Sequence, residues 1–215
     1  MIREFDTGNG KLVVNIIGHA SYMFEWGGTR IYCDPYSEVA DFSAYPIADL
    51  LIITHNHYDH LDHSAFKHIV NSKTTIVCNP SSANLLPNPI ILVNGEGTLY
   101  KEFSIDAVPA YNIINHKNDG SPYHPSGDGN GYIISAGGFR LYIAGDTELI
   151  PEMSLLRDID LALLPKNLPY TMSDAQFIEA VRVIRPKYVI ATHFFDLDIK
   201  SLKDRMPEGV TLLNE

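Results

Sequence analysis

A chain of 215 residues with 45% hydrophobic content can bury a full core without staples, which excludes disorder and disulfide-held miniature scaffolds. A formal net charge of −10 argues against a nucleic-acid binder that neutralises phosphates over a broad face. No stretch reaches the roughly 18 apolar residues of a membrane span, and the opening residues lack the apolar run of a signal peptide. One cytoplasmic domain over residues 1–215 is therefore expected.

The first third reads as β-structure. Residues 12–17, 21–26 and 29–33 are short runs rich in β-branched and aromatic side chains, with Gly27-Gly28 as a hairpin turn between the second and third. Residues 50–54 are apolar without alternation, as in a strand covered on both faces. A helix follows over 62–71 with Asp62 as its N-cap, then a strand over 74–78. Cys33 and Cys78 each lie inside an apolar run and read as core residues rather than a disulfide or ligand pair.

In the second half, strands are expected over 100–108, 131–135 and 139–144, the last after a Gly137-Gly138 turn. A short helix over 151–157 and an apolar strand over 161–164 come next. Ser173-Asp174-Ala175-Gln176 is a capping-box pattern, opening a helix whose Phe177, Ile178, Val181 and Ile184 share one face. Pro186 ends that helix before a strand over 188–191. Residues 112–130 form one long irregular stretch, and such a loop inside a compact domain is usually functional. No internal repeat stands out. Strands with helices in both halves suggest two sheets packed face to face with helices outside each.

The chemistry concentrates in His55-Asn56-His57-Tyr58-Asp59-His60, directly after the apolar 50–54 strand. Residues two apart in an extended segment point the same way, so His55 and His57 can converge on one ion. Asp59 and His60 are expected to turn to the opposite side, toward a second ion. Two further strand ends offer ligand-type groups: Gly145-Asp146 after 141–144, and Thr192-His193 after 189–191. Imidazole and carboxylate ligands suit zinc, and also manganese or iron. A carboxylate bridge by Asp146 would suit two ions about 3.5–4 Å apart.

The order HxHxDH, then GDT, then TH resembles the metallo-β-lactamase superfamily over nearly the whole chain. Gly18-His19-Ala20-Ser21, Asp34-Pro35 and the segment 165–172 are similar to the branch of the ascorbate-phosphate lactonase and the N-acyl-phosphatidylethanolamine phospholipase. The resemblance implies an α/β fold, a four-layer αββα sandwich. It also implies that His55 and His57 bind a first ion, that Asp59, His60 and His193 bind a second, and that Asp146 bridges. That family's third histidine for the first ion is absent, because Tyr111 stands after the strand where it would fall. His124 is the substitute preferred here, and His116 is the other candidate. Asp34 is either a turn residue or an acceptor for the second nitrogen of a metal-bound imidazole. His63 and His68 fall on the helix after the motif and read as surface or packing residues.

The activity expected is that of a hydrolase, in which a water bridging two divalent ions yields a hydroxide that attacks a carbonyl or phosphoryl centre. Asp59 would orient that nucleophile or move its proton. His19, Lys166 and Tyr170 are candidates for contact with a small-molecule substrate: a phosphodiester, lactone or amide. A metal store without turnover and a nuclease are the rival classes, and the acidic balance counts against the nuclease. An amidohydrolase barrel also places His-x-His after a strand, but roughly 250 residues is its usual length.

Overall fold

Residues 2–7 alternate in exposure, whereas residues 50–53 and 161–165 are unbroken buried runs. In the computed structural model, which describes residues 1–214, the chain folds as two compact units. The first holds residues 1–93 with 136–138, and the second holds 94–135 with the residues from 139 onward.

In the first unit, β1 (Ile2–Thr7), β2 (Gly10–Gly18), β3 (Ser21–Trp26) and β4 (Thr29–Cys33) form an antiparallel meander. The parallel strands β5 (Leu50–Ile53), β6 (Thr75–Cys78) and β7 (Ile90–Ile91) extend the sheet beyond β4 in numerical order. Every residue of β5 is buried, as its lack of alternation requires. Helix α1 (His63–Ile69) begins where the Asp62 carboxylate accepts the Ser64 N–H at 2.7 Å. Its buried Ala65 and Ile69 pack with Tyr32, Leu51, Ile53 and Ile76 of the sheet. Cys33 and Cys78 are free and buried, the core role expected of them.

The second unit carries β8 (Gly97–Tyr100), β9 (Phe103–Ala110), β10 (Gly129–Ala136) and β11 (Phe139–Ile143), continued in parallel by β12 (Leu161–Pro165), β13 (Tyr188–Thr192) and β14 (Thr211–Leu212). Helix α2 (Asp174–Ile184) is closed at its start by the Ser173–Gln176 capping box. Phe177, Ile178, Val181 and Ile184 pack with Tyr142, Ala162, Leu164 and Val189. A short α3 (Ile199–Lys203) adds Leu202 to that core.

The structure corrects several expectations. The strand expected over 100–108 is β9, which starts at Phe103, while Tyr100 ends β8 and the chain reverses at Lys101-Glu102. The helix expected over 151–157 is a 3₁₀ segment, Pro151–Leu155. Strands β1, β7 and β14 were not expected from the sequence; β7 and β14 have only two residues each, too few to set a period.

A repeat, unseen in composition, is also present. Both sheets run four strands before a parallel extension, in the same order. Gly27-Gly28-Thr29-Arg30-Ile31-Tyr32 corresponds to Gly137-Gly138-Phe139-Arg140-Leu141-Tyr142. Both glycine pairs take positive φ, 55° and 80° in the first and 55° and 78° in the second, as the favoured two-residue hairpin turn requires. The Arg30 N–H donates to Asp49 Oδ2 at 2.9 Å and the Arg140 N–H to Asp160 Oδ2 at 2.8 Å. Among the described residues, no helix is long and apolar enough to cross a membrane.

Candidate metal centre

In the first unit, Asp34 leaves β4 at φ 46°, a left-handed conformation that aspartate tolerates better than most residues. Its carboxylate is buried and accepts the Thr54 N–H at 2.9 Å, the Thr54 hydroxyl at 2.6 Å and His60 Nδ1 at 2.7 Å. One side chain thus fixes both ends of the 54–60 loop. Because the Thr54 proton goes to Asp34, the Thr54 oxygen accepts from His55 Nδ1 at 3.0 Å. The lone pair of His55 then lies on Nε2, 3.0 Å from His57 Nδ1, short enough for both nitrogens to reach one ion at zinc–nitrogen distances of about 2.0–2.1 Å.

By the same logic the His60 lone pair lies on Nε2, 3.7 Å from Asp59 Oδ2. The His60 ring also lies 4.1 Å from the His55 ring. The two halves of the motif therefore sit side by side. The chain turns at residues 57–60, where the His60 N–H closes on the His57 carbonyl at 3.0 Å. His19, at φ 52° in the β2–β3 turn, brings Nε2 to 2.9 Å from Asp59 Oδ2. His19, Asp59 and His60 each offer a ligand atom within 4.8 Å of the others. His63 and His68 are exposed on α1.

In the second unit, Asp146 follows Gly145, whose φ of 66° makes the turn off β11. Asp146 Oδ2 lies 3.3 Å from His124 Nε2 and 3.1 Å from His193 Nε2. His193 ends β13 at φ 53°, its Nδ1 facing the Asn167 amide at 3.3 Å. Asn112 Oδ1 accepts both the His124 N–H at 2.8 Å and its Nδ1–H at 2.7 Å, while Asn112 Nδ2 donates to the Tyr170 carbonyl at 2.9 Å. Those bonds fix the amide orientation and hence the imidazole tautomer. Neutral His124 consequently turns a lone pair toward a carboxylate oxygen. Two acceptors at 3.3 Å repel unless a cation, a proton or a metal ion, joins them.

His116 does not join this group. It is exposed, and its Nδ1 bonds the Ile114 carbonyl of its own loop at 2.8 Å. Tyr111 points its hydroxyl at the Glu152 carboxylate, 3.0 and 3.2 Å away, and burial followed by that bond raises its pKa. Lys166, expected to meet substrate, has its ammonium on Asp174 at 2.7 Å. Tyr170 is 41% exposed, edge-on to Tyr123 at 5.0 Å between ring centres.

Several supporting residues escaped sequence reasoning. Glu148 is fully buried and accepts the N–H groups of Ile113, Ile114 and Asn115 at 2.7, 2.7 and 3.0 Å, so it shapes the start of the 112–130 loop. Thr54, Asn112 and Asn167 hold imidazoles in the same indirect way. Their one available signal was position, since each lies within two residues of a strand end. Imidazole and carboxylate donors, several with the second ring nitrogen anchored, form a set that fits a divalent transition metal.

A family model described as a β-lactamase superfamily domain matches residues 13–193. A metal-dependent hydrolase of the UPF0173 group from Thermococcus kodakarensis is 30% identical over 189 residues, covering 84% of each chain. A solved structure from Parabacteroides distasonis, of a protein provisionally assigned as a metal-dependent hydrolase, shares 40% identity. Its TM-score is 0.93, covering 99% of this chain and 96% of that one. The metallo-β-lactamase fold protein YhfI from Bacillus subtilis superposes with a TM-score of 0.70 at 14% identity, over 92% and 89% of the two chains. That likeness shows the fold expected from the sequence.

Proposed function

Since this chain belongs to the β-lactamase superfamily and is one of its metal-dependent hydrolases, we propose that it cleaves a small phosphodiester, lactone or amide with two divalent ions, zinc foremost. His55, His57 and His124 would hold one ion, Asp59, His60 and His193 the other, and Asp146 both. The observation that carries this reading is the locked tautomer of His124, whose Nε2 lone pair faces Asp146 Oδ2 at 3.3 Å. Such ions, when bound, acidify water and polarise a carbonyl or phosphoryl oxygen.

The chain's own residues do the positioning. Asp34 and Asn112 anchor Nδ1 of His60 and His124, keeping each Nε2 available as a donor. Asp59 Oδ2, 2.9 Å from His19 Nε2, is the atom proposed to orient the nucleophile and take its proton, which His19 can share. Tyr170 and Tyr123 offer an aromatic edge to substrate, whereas the Lys166 ammonium is held by Asp174.

Elemental analysis of the purified chain, with rates on phosphodiester, lactone and amide substrates, tests the reading. His124→Ala and Asp146→Asn are each expected to lose metal stoichiometry and at least about a hundredfold in rate while remaining folded. Full stoichiometry and full rate in both variants would overturn the assignment.

A further inference from the structure

A second binding feature lies in the second unit, apart from the donors above. The 3₁₀ segment Pro151–Leu155 does not close fully over β9, β10 and β11, and a cavity of about 440 Å³ remains. That is within the roughly 300–1,000 Å³ of small-molecule sites. Ile133, Tyr142, Ile150 and Met153 give it apolar walls, and none of the four is more than 4% exposed. A hydrophobic enclosure of this kind takes an apolar body.

The charged lining decides what that body carries. Arg140 and Arg157 stand against one acid, Glu152, so the lining is net +1 in a chain of −10. Glu152 is turned to the Tyr111 hydroxyl. The Arg140 side chain donates from Nε to the Arg157 carbonyl at 3.2 Å, which brings the two residues together. The Arg157 guanidinium donates to the Ser154 and Leu156 carbonyls, at 2.6 and 2.8 Å. Neither guanidinium has a carboxylate partner among the described residues. A planar guanidinium fork matches a carboxylate with two parallel hydrogen bonds.

We propose that this cavity binds a small carboxylate with an apolar body, such as a medium-chain fatty acid, its head group on Arg140 and Arg157. The site is independent of the metal reading.

Octanoate and octanamide, alike in body and different in charge, are the probes. The full chain, labelled with ¹³C at its methionine methyls, is titrated with each and followed by NMR. The Met153 methyl is expected to shift saturably with octanoate, at least tenfold more tightly than with octanamide. Arg157→Gln alone, at an exposed position, and the Arg140→Gln/Arg157→Gln pair should erase that tenfold preference while octanamide still binds. Equal affinity for the two probes, a Met153 signal unmoved by octanoate, or a preference unchanged in Arg157→Gln and the pair would overturn the proposal.

Discussion

The two units run the same strand order and share the Gly-Gly-x-Arg-x-Tyr hairpin, yet they present their ligand-type side chains in opposite ways. The first places His55, His57, Asp59 and His60 within six consecutive residues and pins both ends of their loop from Asp34, just past β4. In the second, His124, Asp146 and His193 come from three separate loops, with Asn112 supporting His124 and Asn167 supporting His193. A short loop pinned by one carboxylate is a local solution. Donors spread over about seventy residues need shaped loops, and Glu148 shapes the start of the one that carries His124 by collecting three backbone N–H groups. The same backbone frame thus supports a concentrated and a distributed arrangement.

The largest effects should come from removing the two organising carboxylates, and they should differ. Glu148→Ala leaves the partly buried N–H groups of Ile113, Ile114 and Asn115 without their acceptor, a loss of about 2–4 kcal/mol in denaturant stability. Hydrogen exchange should accelerate first at residues 113–115. Asp34→Ala strands Thr54 and His60 instead, a loss of about 2–4 kcal/mol, with exchange accelerating at Thr54. Indistinguishable exchange patterns would erase the contrast between a loop pinned locally and one shaped from afar.

A smaller effect tests the distributed unit alone. Asn112→Ala removes the acceptor that sets the His124 tautomer, and about a 10–100-fold weaker zinc affinity is expected from a competition titration with a chelator. Asn112→Asp, which keeps an acceptor at the same place, should recover most of it. Equal weakening in both variants would mean that the amide acts through the Tyr170 carbonyl rather than through the ring.

The contrast also explains what could be read from the chain. The concentrated unit was largely legible, since a strand of four unalternating apolar residues followed by His-x-His-x-Asp-His states both the platform and its cargo. The turn after His57 was expected, but how near it brings the His60 ring to that of His55 was not legible, because two-residue alternation holds only while the backbone stays extended. In the distributed unit, Asp146 and His193 were visible as strand ends. Glu148 was not: its partners lie 33–35 residues earlier in a loop with no period, and no local pattern records such a bond. His124 could be preferred over His116 only through the run around it. The repeat was hidden because the shared hairpin is six residues long and the loops that follow it have diverged.

Helix starts offer a finer comparison, one per unit. Asp62 caps α1 and also accepts the Ser37 N–H at 2.8 Å, whereas Ser173 caps α2 reciprocally with Gln176. Each change to alanine should cost about 1 kcal/mol in thermal or denaturant unfolding, with Asp62→Ala the larger because it releases two segments.

The smallest effect is electrostatic and carries a sign. The hydrogen bond from Lys166, aided by Arg205, holds the Asp174 carboxyl below the ordinary aspartate range at the first residue of α2. A depressed folded-state pKa contributes stability above the unfolded value of about 3.9, and that contribution disappears as pH falls through the lower folded value. Asp174→Asn should therefore lower stability at pH 7 by less than about 1 kcal/mol, since the pair is partly exposed and screened. The difference from the native chain should close as pH falls through that lower folded value, and shrink in high salt. A deficit that persisted at pH 2 would assign the effect to packing at the start of α2. Lys166 would then be a spacer rather than an ion-pair partner, and its absence from the proposed chemistry would need another explanation.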